Sequence, residues 1–237
     1  MKGFLTTHKG MEDIAALEVN GLIGKKAKIG GKCIVFGISG YEDLFKLCYL
    51  SQSAAGVYFL LSEFNYNDLF ADFGKNIEKI GFSQWLNENI TFRVKCIKDS
   101  DETMPTPEIE KELGAIIIGH MQKKHDYTQK VSLNNPDIAL FVYLSGSKCY
   151  IGIDFAGFDL SKRNYNIFTH PSNIKGTIAY SLIRLSGYDK DETLLDPFSR
   201  DGVIVIEAAL HSASFPLNYY RKERFAFLKL GLVEPDK

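Results

Sequence analysis

The chain has 237 residues, 45% of them apolar, and a formal net charge of −1, which is enough to bury a sizeable core and to fold as two or three small domains. The near-neutral balance excludes whole-chain basic steering toward a polyanion and leaves that task to local patches. No apolar run approaches the ~20 residues of a membrane span, and the N-terminus lacks the apolar core of a signal peptide, so a soluble, cytoplasmic protein without membrane partners is expected.

The four cysteines, Cys33, Cys48, Cys96 and Cys149, are scattered, and none forms a Cys-x-x-Cys pair. Their apolar settings predict buried free thiols in a reducing compartment rather than disulfides or a metal site.

In chain order, Gly3 to about Thr7 reads as a strand broken by Lys9-Gly10. From Met11, Ile14, Ala15, Leu17 and Glu18 suit a one-sided helix ending near Asn20-Gly21. Two strands follow, Lys25–Ile29 and Cys33–Ile38, with Gly30-Gly31 as a two-residue hairpin signal. A helix over Tyr41–Leu50 turns Leu44, Phe45, Leu47 and Cys48 inward, and Val57–Leu61 closes a βαββαβ order, that of a ferredoxin-like domain.

From Asn67 the spacing of Leu69, Phe70, Phe73, Ile77 and Ile80 predicts a helix, and Trp85 extends its apolar face as a core residue. Thr91–Ile97 alternates as a strand, with Phe92, Val94 and Cys96 on one face and Arg93 and Lys95 on the other. Thr106 is a candidate N-cap, with Pro107 at the first helical position, for a helix through Leu113, Ile116, Ile117 and Met121. Three strands are expected next, Lys130–Leu133, Asp137–Leu144 and Lys148–Asp154, with Gly146 in the last tight turn. Ile178–Ser186 reads as a helix ended by Gly187.

The most informative stretch runs from Thr193 to Leu210. The apolar run Thr193-Leu194-Leu195 predicts a strand, Asp196-Pro197 a turn, and Val203 to Leu210 a mostly buried helix. Strand, tight turn and helix is the unit that presents helix N-terminal N–H groups to a nucleotide in α/β sheets. An ordinary βα unit without a ligand has the same spacing.

Leu195-Asp196-Pro197-Phe198-Ser199-Arg200-Asp201-Gly202, followed by Ile206-Glu207-Ala208-Ala209, resembles the first motif of S-adenosylmethionine-dependent RNA methyltransferases that carry a THUMP domain. That family usually has Asp-Pro-Phe/Met-Cys-Gly-Ser/Thr-Gly there. Asp196, Pro197, Phe198 and Gly202 match, and the resemblance implies that these four bind the cofactor. Ser199, Arg200 and Asp201 depart from the pattern. Arg200 brings a Cβ and a long side chain where glycine allows close approach, and Asp201 adds negative charge where a methionine carboxylate needs positive potential. Both departures count against cofactor binding by this chain alone.

The middle third resembles the same family. Thr91–Cys96, Thr106–Glu110, Asn134–Asp137 and Tyr150–Asp154 are similar to successive landmarks of a THUMP domain, which implies binding to the CCA-bearing end of tRNA. Asp159–Tyr165 resembles the family's linker, and Thr169–Thr177 the loop before the first methyltransferase helix, with Gly176 where proline is usual. Phe225-Ala226-Phe227-Leu228-Lys229 resembles the branch that methylates guanine N2 in tRNA or large-subunit rRNA. The implied organisation is a ferredoxin-like domain over 1–63, a THUMP domain over 64–158, a linker over 159–175 and the N-terminal part of a Rossmann-like methyltransferase domain over 176–237. The fold class is therefore α+β followed by the beginning of an α/β domain.

Methyl transfer to an exocyclic amine needs the base unstacked and acceptors for the amine protons. The family supplies these from an Asn/Asp-Pro-Pro-Tyr-like motif, which this sequence lacks. No catalytic and no metal-binding residue is assigned. The roughly forty residues after Asp196 are too few for a doubly wound sheet, so an incomplete catalytic half is expected, its remainder missing through truncation or a split gene, or supplied by a second polypeptide. RNA phosphates would be met by Arg93, Lys95, Lys98, Lys123, Lys124, Lys130, Lys162 and Arg163. The alternative function is a non-enzymatic tRNA-binding adaptor in which the loop is a relic that only packs.

Overall fold

The computed structural model describes residues 1–99, 103–167 and 173–232. They divide into two units, one formed by Met1–Val57 with Phe158–Phe225 and the other by Tyr58–Gly157 with the segment from Ala226 onward.

The first unit begins β1 (Lys2–Thr6), α1 (Glu12–Ile23), β2 (Ala27–Gly30), β3 (Cys33–Gly37) and α2 (Tyr41–Leu50). β3 pairs antiparallel with both β1 and β2, with Phe4 opposite Val35 and Gly30 opposite Cys33. The hairpin turn is therefore Gly31-Lys32, one residue later than its glycine pair suggests. α1 buries Ile14, Ala15, Glu18 and Val19, and α2 buries Leu44, Leu47 and Cys48. After Phe158 this unit adds two helices, α5 (Gly176–Leu185) and α6 (Val203–Ser212), and a 3-10 turn over Tyr219–Arg224. α5 packs on α6 and on α1.

The second unit takes the chain through β4 (Gly56–Asn65), α3 (Leu69–Ile77), β5 (Thr91–Asp99), α4 (Thr106–His125), β6 (Lys130–Val131), β7 (Ile138–Ser145) and β8 (Lys148–Asp154). Its strands lie in the order β4-β8-β7-β5-β6. β5 runs parallel to β7 and β6, while β8 is antiparallel to β7 and β4, which makes the sheet mixed. Phe92, Val94 and Cys96 are buried on β5 as their alternation predicts, and Lys95 is exposed. α4 packs on β5 with Ile109, Leu113, Ile117 and Met121 buried, one residue per turn on a single face. Trp85 is a core residue at 4% exposure.

Several boundaries differ from the sequence reading. α4 begins at Thr106 itself, with Pro105 before it in extended backbone and no side-chain cap. Asp68, by contrast, caps α3 by accepting the N–H groups of Phe70 and Ala71, both at 3.1 Å. β6 has two residues rather than four. Past it, the carbonyl of Leu133 accepts the Arg93 guanidinium at 2.7 Å instead of a neighbouring strand.

All four cysteines are free and buried. Burial pushes the Cys96 thiol up to about 12, with the charge of Glu110 as a second cause. No helix among the described residues is long and apolar enough to cross a membrane.

Candidate functional site

The apolar run from Val203 forms α6, and its first intrahelical bond runs from the Ile206 N–H to the Gly202 carbonyl at 2.9 Å. Gly202 precedes the helix at φ 72°, a left-handed conformation that a residue with a Cβ rarely takes. The turn before it holds itself with its own carboxylates. Asp196 Oδ1 accepts the Phe198 N–H at 3.2 Å, and Asp201 Oδ1 accepts the Val203 N–H at 3.4 Å. Asp201 thus places its charge at the positive end of the helix.

The strand expected over Thr193–Leu195 is not formed. The segment is irregular, with Leu195 82% exposed and Phe198 89% exposed. A strand needs a neighbour for its backbone groups, and no strand occurs among the described residues after β8.

α6 buries Val203, Glu207 and Ala208. Glu207 is wholly buried, and its carboxylate is surrounded by donors. Arg163 Nε reaches Oε1 at 2.7 Å and Arg163 Nη2 reaches Oε2 at 3.2 Å. Gln52 Nε2 donates to Oε2 at 2.7 Å, and the Tyr165 hydroxyl donates to Oε1. Arg163 also gives Nη1 to the Leu160 carbonyl at 2.8 Å and Nη2 to the Gln52 carbonyl at 2.5 Å. Buried charges persist when their remaining donors and acceptors are satisfied in this way. The pair also dictates its neighbour on α5. A Cβ on Gly176 would run into Arg163 Nε and lie 2.5 Å from Glu207 Oε1, so no larger residue fits there without displacing the pair.

This network supports a cavity of about 650 Å³ lined by Tyr165, Asn166, Ile167, Asn173, Arg200, Asp201 and Val203. Its size suits a nucleoside-bearing small molecule. Burial, with the Glu207 charge second, raises the Tyr165 phenol pKa, so the hydroxyl stays protonated and keeps donating to Glu207. The lining thus offers an aromatic ring in a fixed orientation, two amides, an aliphatic side chain, a guanidinium, a carboxylate and the start of α6. These groups fit an adenosyl cofactor. None of the four residues implied by the motif lines the cavity, although Gly202 sits between Asp201 and Val203, which do. Asp196, Pro197 and Phe198 form the turn ahead of it.

The expected phosphate-binding cations separate into the two units. In the second, β5 carries Arg93 and Lys95, and Lys130 lies on β6 opposite Thr91. Lys98 donates to the Met104 carbonyl at 2.8 Å. Lys123 and Lys124 are exposed in the last turn of α4. In the first unit Lys162 is exposed. Arg163 corrects the sequence reading, because every guanidinium nitrogen is engaged inside the protein and its side chain is 2% exposed. It holds Glu207 rather than a phosphate. Of the loop expected over Thr169–Thr177, residues 169–172 lie outside the described residues.

Sequence reasoning missed Glu207, Gln52 and Tyr165. The signal was present for Glu207, a single acid inside the apolar run Val203–Leu210, since a buried charge implies a buried partner.

One unit is thus an α/β body, a mixed sheet backed by two helices, and the other carries a helix whose N-terminus opens on a nucleoside-sized cavity. Residues 69–154 match the THUMP domain, and residues 163–234 match the UPF0020 family, described as an RMKL-like methyltransferase domain. The chain thus pairs a THUMP domain with an RMKL-like methyltransferase domain, the two domains of the family that its motifs resemble. It is 30% identical over 230 residues to a tRNA (guanine(6)-N2)-methyltransferase of Methanocaldococcus jannaschii, covering 96% of this chain and 60% of the relative. Among solved structures, a possible methylase from Clostridium difficile 630 superposes with a TM-score of 0.82 at 22% identity, over 98% of this chain and 60% of that one. A putative methyltransferase complexed with SAH gives 0.80 at 22% identity, over 99% and 61%. The chain spans about 60% of the length of these relatives. In each, the matched part and the remainder form one polypeptide, so a second polypeptide finds no support there.

Proposed function

We propose that this chain binds tRNA through its THUMP domain and holds S-adenosylmethionine at the N-terminus of α6, in the service of guanine-N2 methylation. The observation that carries this reading is the cavity at the Asp196–Gly202 motif, walled by a tyrosine that a buried carboxylate holds in place. The named activity of the 30% identical relative and the SAH bound to a structural neighbour support it. They favour a methyltransferase over a non-enzymatic adaptor.

Bound there, the cofactor would supply a methyl group activated on a sulfonium sulfur. Tyr165 would meet the adenine ring, and Asn166 and Asn173 would offer amide donors and acceptors. Asp201 would accept from hydroxyls or an ammonium group. Glu207 and Arg163 are positioning residues that act through Tyr165 and through the placement of α6. We further assign residues 1–63 to a ferredoxin-like module, 64–158 to the THUMP domain, 159–175 to a linker and 176–237 to the methyltransferase domain. Arg93, Lys95, Lys98, Lys123, Lys124, Lys130 and Lys162 remain the proposed phosphate contacts.

The test is ligand-linked stabilisation. At a hundredfold excess over Kd, S-adenosylmethionine or its demethylated product should stabilise the chain by about 2.7 kcal/mol, seen as a higher Tm. Tyr165→Ala should weaken that shift while the ligand-free fold survives. Absence of any shift at millimolar ligand would overturn the cofactor assignment. Absence of tRNA binding at low salt would overturn the RNA assignment.

A further inference from the structure

Beyond Lys162, the first unit carries cations that this reading leaves unused, and they gather around the turn Phe158–Arg163. Backbone bonds tie that turn to the end of β1. The Ala55 N–H donates to the Thr6 carbonyl at 2.7 Å, and the Leu160 N–H donates to the Ala55 carbonyl at 2.9 Å. The next residue of β1's exit, Thr7, donates its N–H to the Lys32 carbonyl at 3.0 Å, which adds the β2–β3 turn. The close approach of Gly176 to Arg163 brings in Lys175, exposed at the start of α5. From another side, the guanidinium groups of Arg221 and Arg224 lie 4.7 and 5.5 Å from the ring centroid of Phe158. Phe158 itself stacks on Phe225 at 5.4 Å.

The charges around this turn are unbalanced. Lys162, Lys175, Arg221, Lys222 and Arg224 outnumber the acids of the same segments, Asp159 and Glu223. Asp159 already accepts the N–H and hydroxyl of Ser161. Arg163 is neutralised internally by Glu207. Two groups register the excess. His8 is held below its ordinary pKa by burial and then by Lys175, Arg163 and Lys32, against Asp159. Arg221 is lowered by burial and then by Arg224 and Arg163, again against Asp159. The same segment exposes two aromatic rings, Tyr219 at 43% and Tyr220 at 77%, edge to face at 5.2 Å.

We propose that this turn and the Tyr219–Arg224 segment form a second RNA-contact surface, with Lys162, Lys175 and Arg224 on backbone phosphates and Tyr220 stacking on an unpaired base. Cations drawn from three separate chain segments exceed what one phosphate monoester can neutralise, which points to a polyanion. Exposed aromatic rings interleaved with basic residues add a platform that a purely anionic partner would not need. The proposal rests on the RNA-binding reading and assigns part of that binding outside the THUMP domain.

The experiment is a salt titration of RNA binding with the full chain, using a hairpin RNA with a single-stranded 3′ overhang. The triple variant K162Q/K175Q/R224Q changes three exposed side chains. It should flatten the slope of log K against log salt by about 2 to 3, roughly 0.7–0.9 for each phosphate that no longer meets a cation. Tyr220→Ala should weaken binding to the overhang RNA about tenfold and leave a blunt duplex unaffected. If the parent binds RNA and the triple variant keeps its slope, this surface is not a contact and the RNA reading stands. If the parent binds no RNA at low salt, both fall. Should the triple variant fail to fold, K162Q and K175Q singly must each lower the slope by about 0.7–0.9, and an unchanged slope in both overturns the proposal.

Discussion

The two units are stabilised by different kinds of interior. The second is dry. Its sheet buries Phe92, Val94, Leu140, Val142, Ile151 and Ile153, and of the buried polar side chains among the described residues only Gln129 and Asp154 belong to it. The first unit holds all the others, including Glu18, Ser51, Gln52, Ser53, Arg163 and Glu207. Glu18 accepts the Gln52 and Ser53 N–H groups at 2.8 and 3.0 Å and the Ser51 hydroxyl at 2.5 Å. Glu207 gathers Arg163, Gln52 and Tyr165. The segment Ser51–Ser53 thus sits between two buried carboxylates, one on α1 and one on α6. Apolar packing tolerates many sequences of suitable volume, whereas a buried carboxylate with its donors specifies one arrangement of its neighbours. The unit that carries the candidate cofactor cavity is the one with the more specific interior.

The strongest way to break this contrast is to remove one member of the ion pair. Glu207→Ala leaves the Arg163 guanidinium buried and unpaired, which should cost about 3–5 kcal/mol and appear as a large drop in Tm. Replacing both partners together, as R163M/E207L, should recover most of the loss, since an apolar pair of similar volume needs no solvation. If the single variant is as stable as the parent, the pair is not what holds α6. The matching test in the second unit is Ile117→Ala, which opens a cavity under α4 and should cost about 2–5 kcal/mol. Here no second substitution of a polar partner should restore stability. Smaller again is Gly176→Ala. Its methyl group collides with Arg163 and Glu207, and the expected cost is about 1–3 kcal/mol. The same substitution in the R163M/E207L background should be better tolerated, a difference that thermal melts of the parent and the three variants would resolve.

The same contrast explains what could be read from the sequence. The second unit was legible because its burial follows two periods. Alternation marks β5, and one residue per helical turn marks Ile109 through Met121 on α4. Both depend on neighbours within one element. The short elements of the first unit were also legible, from β1 to α2, down to a one-residue shift in the hairpin turn. The candidate site was legible only as a string, Asp196 to Gly202, and the string misled in part. Thr193–Leu195 has the composition of a buried strand, yet a strand exists only with a partner to receive its hydrogen bonds. Arg163 has the composition of a surface cation, yet its role was decided by Glu207, forty-four positions away. Gln52 lies 155 positions from the same carboxylate. No window of local spacing spans such distances, and only the unmatched acid within an apolar helix hinted at them.

The smallest expected effect is a pH dependence, and here the two units share one mechanism. His8 and His211 in the first unit and His120 in the second are all held below the ordinary imidazole value of 6.5, in each case chiefly by burial. For His8 the next cause is Lys175, for His211 it is Arg184 and for His120 it is Lys124, each a cation that opposes a second positive charge. A group lowered in the folded state takes up its proton in the unfolded chain first. Its contribution to stability is therefore present above 6.5 and is lost as the pH falls through 6.5 toward the depressed folded value. Melting temperature should decline as the pH falls through that window, and the decline should be modest because none of the three rings is deeply buried. His211 stands edge-on to Tyr180 at 5.5 Å and His120 edge-on to Phe82 at 6.0 Å, so glutamine at either position loses some packing at every pH. The informative quantity is consequently the slope of Tm with pH rather than Tm itself. H8Q and H211Q should each flatten it, and H8Q more where Lys175 is retained than in a K175Q background. A slope indifferent to Lys175 would mean that burial alone sets the His8 shift, and the cation cluster around the Phe158–Arg163 turn would then exert less potential than its composition implies.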